Sequence, residues 1–377
     1  MKPRARDIGI RIGRMEPGER NAITDVPGVR VGHTTLIRGE GPLRVGEGPV
    51  RTGVTVIVPH DGDVWTEPVF AGAHRLNGNG ELTGLEWIRE HGMLAGVIGI
   101  TNTHSVGVVR DAIIEAAARA RGGRDDFWSL PVVGETYDGA LNDLNGFHVR
   151  PEHVHAALET ASGGPVAEGN VGGGTGMICH EFKGGIGTSS RVLRRGWTVG
   201  VLVQANYGAR ELLRIDGVPV GRAIPTSEVP SPWDQLAAAN ARATPEGGSI
   251  IGVVATDAPL LPHQSARLAQ RVGMGVARMG SYASHGSGDL FVAFATGNRD
   301  LSRRAGEDDP RAAVGLQMVV DDHINPLLEA VAEATEEAIT NALLAADTMS
   351  GRDGITAHAL DHDRLRDVMR QHGRLGD

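Results

Sequence analysis

The sequence has 377 residues, of which 40% are hydrophobic, 22% charged and only 4% aromatic, so a globular core would consist mainly of aliphatic side chains. The formal net charge of −9 and the lack of a basic stripe exclude nucleic acid and membrane as expected partners. The single cysteine, Cys179, excludes an internal disulfide framework, and no apolar run reaches the length of a spanning helix, so we expect a cytoplasmic protein.

The first part of the chain alternates short apolar runs with turns rich in Gly and Pro. β-branched runs predict strands, and apolar residues at helical spacing predict helices. In chain order, the sequence predicts strands over residues 29–37, 52–60 and 92–102, a helix over 106–121, a strand over 130–139 and a helix over 151–161.

The second part follows a glycine-dense stretch that runs to residue 187. In chain order, it predicts strands over residues 197–206 and 211–221, a long exposed connection over 222–248, a strand over 249–259, a helix over 261–280, a strand over 289–298, and helices over 321–347 and 360–373. Buried strands combined with amphipathic helices predict a layered α/β sandwich. We find no internal repeat and predict a single domain over residues 1–377.

Two other kinds of motif are set aside. Asp321, Asp322 and His323 could form a metal cluster, but acidic residues at a helix start complement the helix dipole, and we predict no metal site. The glycine runs NGNGELTG (77–84) and GNVGGGTG (169–176) lack the strand–glycine–helix pattern of a nucleotide site. We interpret them as tight turns or as loops that pass near the active site.

Ser249 is the residue that points to chemistry. It follows Gly248 and opens an apolar, β-branched run, so its hydroxyl is expected at the mouth of a sheet. A glycine before the serine permits unusual backbone angles and leaves the preceding carbonyl open to attack. Cleavage there would free an α-amine with an ordinary pKa of about 7.7–8.0, which can act as the base for the adjacent hydroxyl. Taken alone, Gly-Gly-Ser favours a simple loop before a strand, because this tripeptide is common in loops.

Several separated blocks give this serine a context. They are NGNGELTG (77–84), PVVGETYDGALND (131–143), VQANYG (203–208), GGSIIGVVATDAPLLPHQ (247–264) and SHGSGDLFVAF (284–294). With these blocks, the chain resembles the L-aminopeptidase/D-esterase/amidase family of peptidase family S58, which includes the β-peptidyl aminopeptidases. The resemblance runs nearly from end to end.

The resemblance implies an enzyme that cleaves itself between Gly248 and Ser249, giving a large subunit, 1–248, and a small subunit, 249–377. It implies a four-layer αββα sandwich, similar to N-terminal nucleophile (Ntn) hydrolases but with the different connectivity shared with ornithine acetyltransferases. It also implies homotetramers of processed protomers, no metal or organic cofactor, and removal of N-terminal residues from small peptides, amides and esters through an acyl-enzyme on Ser249.

The same resemblance assigns the remaining site residues. Ser287 and Asp289 match the serine and the acidic residue beside the nucleophile. Ser287 can hydrogen-bond the new amine or the Ser249 hydroxyl, and Asp289 can orient that network and stabilise a transient ammonium. Asn206 matches the side-chain amide of the oxyanion hole, and Tyr137 matches a tyrosine that lines the same pocket and can also donate to the oxyanion. Glu135 matches the carboxylate that receives the free amino group of the substrate. Without the resemblance, each of these residues would suit an ordinary turn or strand end.

Two alternatives remain open at this point. Ornithine acetyltransferases share the implied fold but cleave before Thr, whereas this chain has Ser249 after two glycines. A catalytically silent scaffold of the same fold is the other alternative. The chemically competent residues at all the matched positions favour the self-processed aminopeptidase over both.

Overall fold

Two β-sheets pack face to face in the computed structural model, which describes residues 2–122, 126–239, 248–301 and 313–375. The smaller sheet has the strand order β1-β2-β5-β6, and the larger has the order β4-β3-β12-β11-β10-β9. Two short hairpins, β7-β8 and β13-β14, lie outside these sheets. The strands are β1 (Arg30–Arg38), β2 (Val50–Val58), β3 (Val69–Gly78), β4 (Met93–Leu94), β5 (Ile98–Asn102), β6 (Val132–Thr136), β7 (Ile178–Cys179), β8 (Phe182–Lys183), β9 (Gly185–Val192), β10 (Thr198–Asn206), β11 (Gly248–Thr256), β12 (Ser287–Ala295), β13 (Met349–Ser350) and β14 (Thr356–Ala357).

Helices cover the outer faces of both sheets. The helices of the described residues are α1 (Leu85–His91), α2 (Val106–Ala120), α3 (Pro151–Glu159), α4 (Val220–Ala223), α5 (Pro232–Ala239), α6 (Pro262–Arg278), α7 (Asn325–Ala345) and α8 (His362–Gln371). Of these, α5 packs beside the β13-β14 hairpin. The described part of the chain includes no helix long and apolar enough to cross a membrane.

Three hydrophobic cores define the layers. Val56 of β2 packs with Val109 of α2 on the outer face of the small sheet. Ile100 of β5 packs with Ile251 of β11 in the core between the two sheets. Helices α6 and α7 pack on the outer face of the large sheet, where their apolar residues meet those of β10 and β12. The fold is therefore the predicted four-layer αββα sandwich.

Most predicted elements are confirmed, and the exceptions have local reasons. The prediction of one strand over residues 92–102 is wrong, because this segment forms the separate strands β4 and β5. The sequence analysis missed β3 and β9, although both are paired within the large sheet. The predicted exposed connection over 222–248 contains helix α5 and part of α4, and its residues 240–247 lie outside the described residues.

The predicted strand over residues 211–221 is wrong. The segment begins in a 3₁₀ turn, Arg210–Leu212, and turns again at Asp216 and Gly217, whose φ angles are 48° and 77°. Two successive left-handed residues close a tight turn that a strand cannot contain. Its apolar residues, including Ile215, still enter the outer core, which explains why their pattern resembled that of a buried strand.

Candidate active site

Ser249 lies near the start of β11, a central strand of the large sheet. It pairs with Asn206 of the antiparallel neighbour β10 and with Gly288 of the parallel neighbour β12. Gly248 pairs with Ser287 in the same register. The sheet therefore brings together the predicted nucleophile, the predicted oxyanion residue and the predicted serine partner, although they are far apart in the sequence.

The two faces of the sheet separate these side chains. Side chains alternate between the faces of a strand, so Ser249 is on the face of Ile251, which points into the core between the sheets. Ser287 and Asp289 are on the face of Phe291, which points into the outer, helix-covered core. Ser287 and Asp289 therefore flank the backbone at residues 248 and 249, where a new amine would form, on the face opposite the Ser249 side chain.

Ser287 and Asp289 form a buried pair. The Ser287 hydroxyl donates to Asp289 Oδ1 at 2.7 Å, and both residues are at most 3% exposed. Asp289 Oδ2 is also buried and accepts no hydrogen bond from the described residues. Burial raises the pKa of Asp289 to about 6, against the opposing effect of the Ser287 hydrogen bond. A cation placed beside Oδ2 would satisfy this carboxylate.

The amide of Asn206 is held in one orientation. Its Oδ1 accepts from the backbone N–H of Ile178 at 2.8 Å, and its Nδ2 donates to the carbonyl of Tyr137 at 3.0 Å. Flipping the amide would break both bonds, so the contacts fix which end is the donor. Because Nδ2 carries two hydrogens and one is bonded to Tyr137, the contacts of the described residues leave the second N–H available, on the residue that pairs with Ser249.

Tyr137 contributes to the site through its backbone more than through its ring. Its carbonyl holds Asn206, whereas the side chain is 42% exposed. A Cβ placed on Gly139 would lie 2.5 Å from the Tyr137 hydroxyl oxygen, so the ring folds over that glycine. The structure thus places Tyr137 next to Asn206, but its hydroxyl packs over Gly139.

Glu135 lies near the same end of the sheet, and Gly80 lies between its carboxylate and the backbone of Gly288. A Cβ placed on Gly80 would lie 3.0 Å from Glu135 Oε1 and 3.1 Å from the Cα of Gly288, the register partner of Ser249. The glycine run 77–84 therefore begins at the end of β3 and continues as a loop beside Gly288, which agrees with one of the two interpretations given for this run. The Glu135 carboxylate accepts from the Glu81 N–H at 3.0 Å and from the Thr103 hydroxyl at 2.5 Å. Glu135 is 4% exposed, and burial raises its pKa above the usual range.

A cleft of about 460 Å³ opens beside Gly248 and Ser287. Aromatic and acidic side chains are among those that line it: Glu181, Tyr207, Trp233, Asp234 and Tyr282. A Cβ on Gly248 would lie 3.0 Å from the Cα of Tyr207, so only glycine fits here without displacing its neighbour. This packing is a second reason, besides backbone freedom, for a glycine before Ser249.

Sequence reasoning missed the groups that orient the site. The Ile178 N–H is a backbone donor and leaves no trace in side-chain chemistry. Thr103, which holds Glu135, follows a predicted strand and carried no signal of its own.

No cluster of three or more potential metal ligands occurs in the ranges that the structure describes. Asp321 Oδ1 instead accepts from Gln264 Nε2 at 2.9 Å.

Comparison with known proteins gives consistent matches over most of the chain. The model of peptidase family S58 matches residues 21–357. The β-peptidyl aminopeptidase BapA of Sphingosinicella microcystinivorans is 50% identical over 378 aligned residues, covering 99% of this chain and 93% of the relative. The enzyme of the same name from Sphingosinicella xenopeptidilytica is 44% identical, covering 98% and 91% of the two chains.

Solved structures agree with these sequence matches. The β-aminopeptidase of a Burkholderia species superposes with a TM-score of 0.89 at 53% identity, covering 98% of this chain and 99% of that one. The L-aminopeptidase D-Ala-esterase/amidase of Ochrobactrum anthropi, described as a variant of the Ntn hydrolase fold, superposes with a TM-score of 0.89 at 45% identity over 100% of both chains.

Proposed function

The chain belongs to peptidase family S58 and is a hydrolase of the aminopeptidase class, and from that premise we propose that it is self-processed and uses Ser249 as its nucleophile. The observation that carries this proposal is the register around Ser249, which has Asn206 on one side and Gly288 on the other. Gly248, which precedes it, pairs with Ser287.

In the processing step, the Ser249 hydroxyl attacks the carbonyl carbon of Gly248. The C–N bond breaks, the nitrogen takes up a proton, and an ester links the two residues. Water then hydrolyses this ester, leaving a carboxylate on Gly248 and a free amine on Ser249. The products are the subunits 1–248 and 249–377.

In catalysis, the free amine of Ser249 accepts the proton of its own hydroxyl as the oxygen attacks the substrate carbonyl. The oxyanion forms near the second Nδ2–H of Asn206, a kind of donor worth about 10²–10³ in kcat in comparable sites. The α-amine of Ser249, now protonated, passes its proton to the leaving group, and water then hydrolyses the acyl-enzyme. The Ser287–Asp289 pair, whose buried Oδ2 has no hydrogen-bond partner among the described residues, is suited to stabilise the transient ammonium.

The substrate class follows from Glu135 and the relatives. A buried carboxylate at the end of β6 suits a cationic amino terminus, and a substrate with a blocked terminus leaves this charge without a partner. The relatives are named for peptide, amide and ester hydrolysis. We therefore propose small peptides, amino-acid amides and esters with a free amino group as substrates. The family resemblance also supports a homotetramer, which analytical ultracentrifugation tests. The single cysteine supports a cytoplasmic location, which cell fractionation tests.

Denaturing electrophoresis of the wild type and of Ser249→Ala tests the proposal. The wild type should give two bands, with the smaller beginning at Ser249 by N-terminal sequencing. Ser249→Ala should give one uncut chain that does not hydrolyse an aminoacyl p-nitroanilide. Ser162→Ala, an exposed serine on the small-sheet side, is the matched control and should behave as the wild type. Hydrolysis by a protein whose 248–249 bond is intact would refute the mechanism.

A further inference from the structure

Lys183, at the end of β8, is a fully buried lysine that holds backbone carbonyls. It is 0% exposed, and its Nζ donates to the carbonyls of Met177 at 2.7 Å, Gly184 at 2.8 Å and Gly174 at 3.4 Å. Burial lowers the pKa of Lys183 to about 7. Burying an ammonium is costly, so its presence here calls for a reason beyond filling space.

The carbonyl of Met177 does not need this ammonium as a partner. It already accepts from the Gly184 N–H at 2.9 Å. The nearby Cys179 thiol does not neutralise the lysine, because burial raises the pKa of that thiol to about 12. Within the described ranges, Lys183 Nζ donates only to backbone carbonyls. In its protonated form, Lys183 therefore adds a charge to a peptide group that is already bonded.

That peptide group leads directly to Asn206. The Met177 carbonyl belongs to the peptide bond whose N–H is that of Ile178, and this N–H donates to Asn206 Oδ1 at 2.8 Å. Ile178 and Lys183 are register partners in the β7-β8 hairpin, which keeps the two ends of this connection together. The ammonium, the peptide group and the side-chain amide thus form one donor-to-acceptor series that ends at Asn206 Nδ2.

We propose that Lys183 is a positioning residue for hydrolysis, whose ammonium polarises the Met177–Ile178 peptide and, through it, the Asn206 amide that faces the oxyanion. Hydrogen bonds in series strengthen one another, and a charged donor strengthens the first of them. The Nδ2–H is therefore a stronger donor, held in a fixed direction. This inference rests on the oxyanion role of Asn206 in the proposed function.

A double-mutant cycle on processed enzyme tests whether Lys183 acts through Asn206. The variants are Lys183→Met, Asn206→Ala and the combination, assayed with an aminoacyl p-nitroanilide. We expect Asn206→Ala to lower kcat by about 100-fold or more and Lys183→Met to lower it by about tenfold, with KM changed by less than about twofold. In the Asn206→Ala background, Lys183→Met should have almost no further effect.

If Lys183 only supported the fold, Lys183→Met would lower kcat by the same factor in the wild type and in the Asn206→Ala background. Such additivity would overturn the inference and leave the proposed function intact. If Asn206→Ala left kcat unchanged, the oxyanion role itself would be wrong, and the inference would fall with it. Lys183→Gln, which keeps a neutral donor, replaces the Met variant in the cycle if the latter is not processed.

Thr256→Val is the matched control for loss of a buried polar contact. Thr256 is at the far end of β11, and its buried hydroxyl donates to the Thr198 carbonyl at 2.8 Å. This variant should lower the melting temperature without lowering kcat. An equal loss of kcat in Thr256→Val and Lys183→Met would show that general destabilisation explains the effect and would overturn the inference.

Discussion

Replacing Glu135 by Gln should remove the charge of the proposed amino-group site and keep its hydrogen bonds. The carboxylate accepts from the Glu81 N–H and from the Thr103 hydroxyl. A Gln carbonyl can accept from the same N–H, and its NH₂ can donate to the hydroxyl of Thr103, which can also act as an acceptor. The variant therefore isolates the effect of the negative charge on substrate binding.

The size of the effect follows from the burial of this carboxylate. A hydrogen bond to a charged group contributes about 1.5–3 kcal/mol, and every 1.4 kcal/mol is about a factor of ten. Because Glu135 is only 4% exposed, water screens the interaction weakly. We expect kcat/KM for a substrate with a free amino group to fall by about 10- to 150-fold.

The assay compares an aminoacyl p-nitroanilide with its N-acetylated counterpart. Glu135→Gln should lower kcat/KM only for the free amine, so the preference for the free amine over the blocked substrate should shrink by the same factor. Because burial raises the pKa of Glu135, the wild type should also lose affinity for the free amine as the pH falls through that raised value, and the variant should not.

Glu115→Gln, on helix α2 and paired with Arg119, is the matched control and should leave both substrates unaffected. If Glu135→Gln lowered kcat/KM equally for the free and the acetylated substrate, the reasoning would be refuted, because Glu135 would then support the site without recognising the amino group. No change for either substrate would refute it as well.

Two further variants test the surroundings of the cleavage site. Gly248→Ala should slow self-cleavage by about tenfold or more, because its Cβ would lie 3.0 Å from the Cα of Tyr207 and such overpacking costs about 1–3 kcal/mol. The control is Gly315→Ala, whose added Cβ would lie within 4 Å of no atom of the described residues beyond its chain neighbours, and it should cleave at the wild-type rate. Equal rates in all three proteins would contradict this. In an uncleaved Ser249→Ala background, Asp289→Asn should raise the urea-derived stability at pH 8 by on the order of 3 kcal/mol and have little effect below pH 4. The variant is expected to be more stable at pH 8 because burial raises the pKa of Asp289 from 3.8 to about 6. Ionisation of Asp289 therefore destabilises the fold as the pH rises through this window. A gain in stability of the same size at both pH values would contradict this prediction.

The strands that could be predicted most directly from the sequence are those with mainly apolar runs. β2, β10 and β12 are buried along their whole length, and β11 is buried at every residue except Gly248; an apolar run directly reflects burial on both faces. β9 is buried nearly as completely but carries Thr188, Ser189, Ser190 and Arg191. Their polar groups bond to distant partners, such as the pairing of Arg191 with Glu337 at 2.7 Å. Local composition does not contain such pairings, so β9 was missed.

The candidate site likewise has parts that the sequence could predict and parts that it could not. Self-cleavage before Ser249 stays a prediction that rests on Gly-Gly-Ser, its apolar run and the family resemblance. The register of β10, β11 and β12 places Asn206, Ser249 and Ser287 side by side. Lys183 could not be found, because a lysine in a glycine-dense segment is expected on the surface. Its role depends on a hairpin that places it opposite Ile178, and that contact exists only in three dimensions.

The strand order of the large sheet determines what a break before Ser249 would leave behind. β11 and β12, which follow that point, are adjacent strands enclosed by β10 on one side and β3 on the other, and both enclosing strands precede it. The two pieces would remain joined by two rows of backbone hydrogen bonds and by the cores on either face. Their separation would amount to global unfolding, so fragments once formed from one molecule should stay partnered for its lifetime and not exchange with those of another.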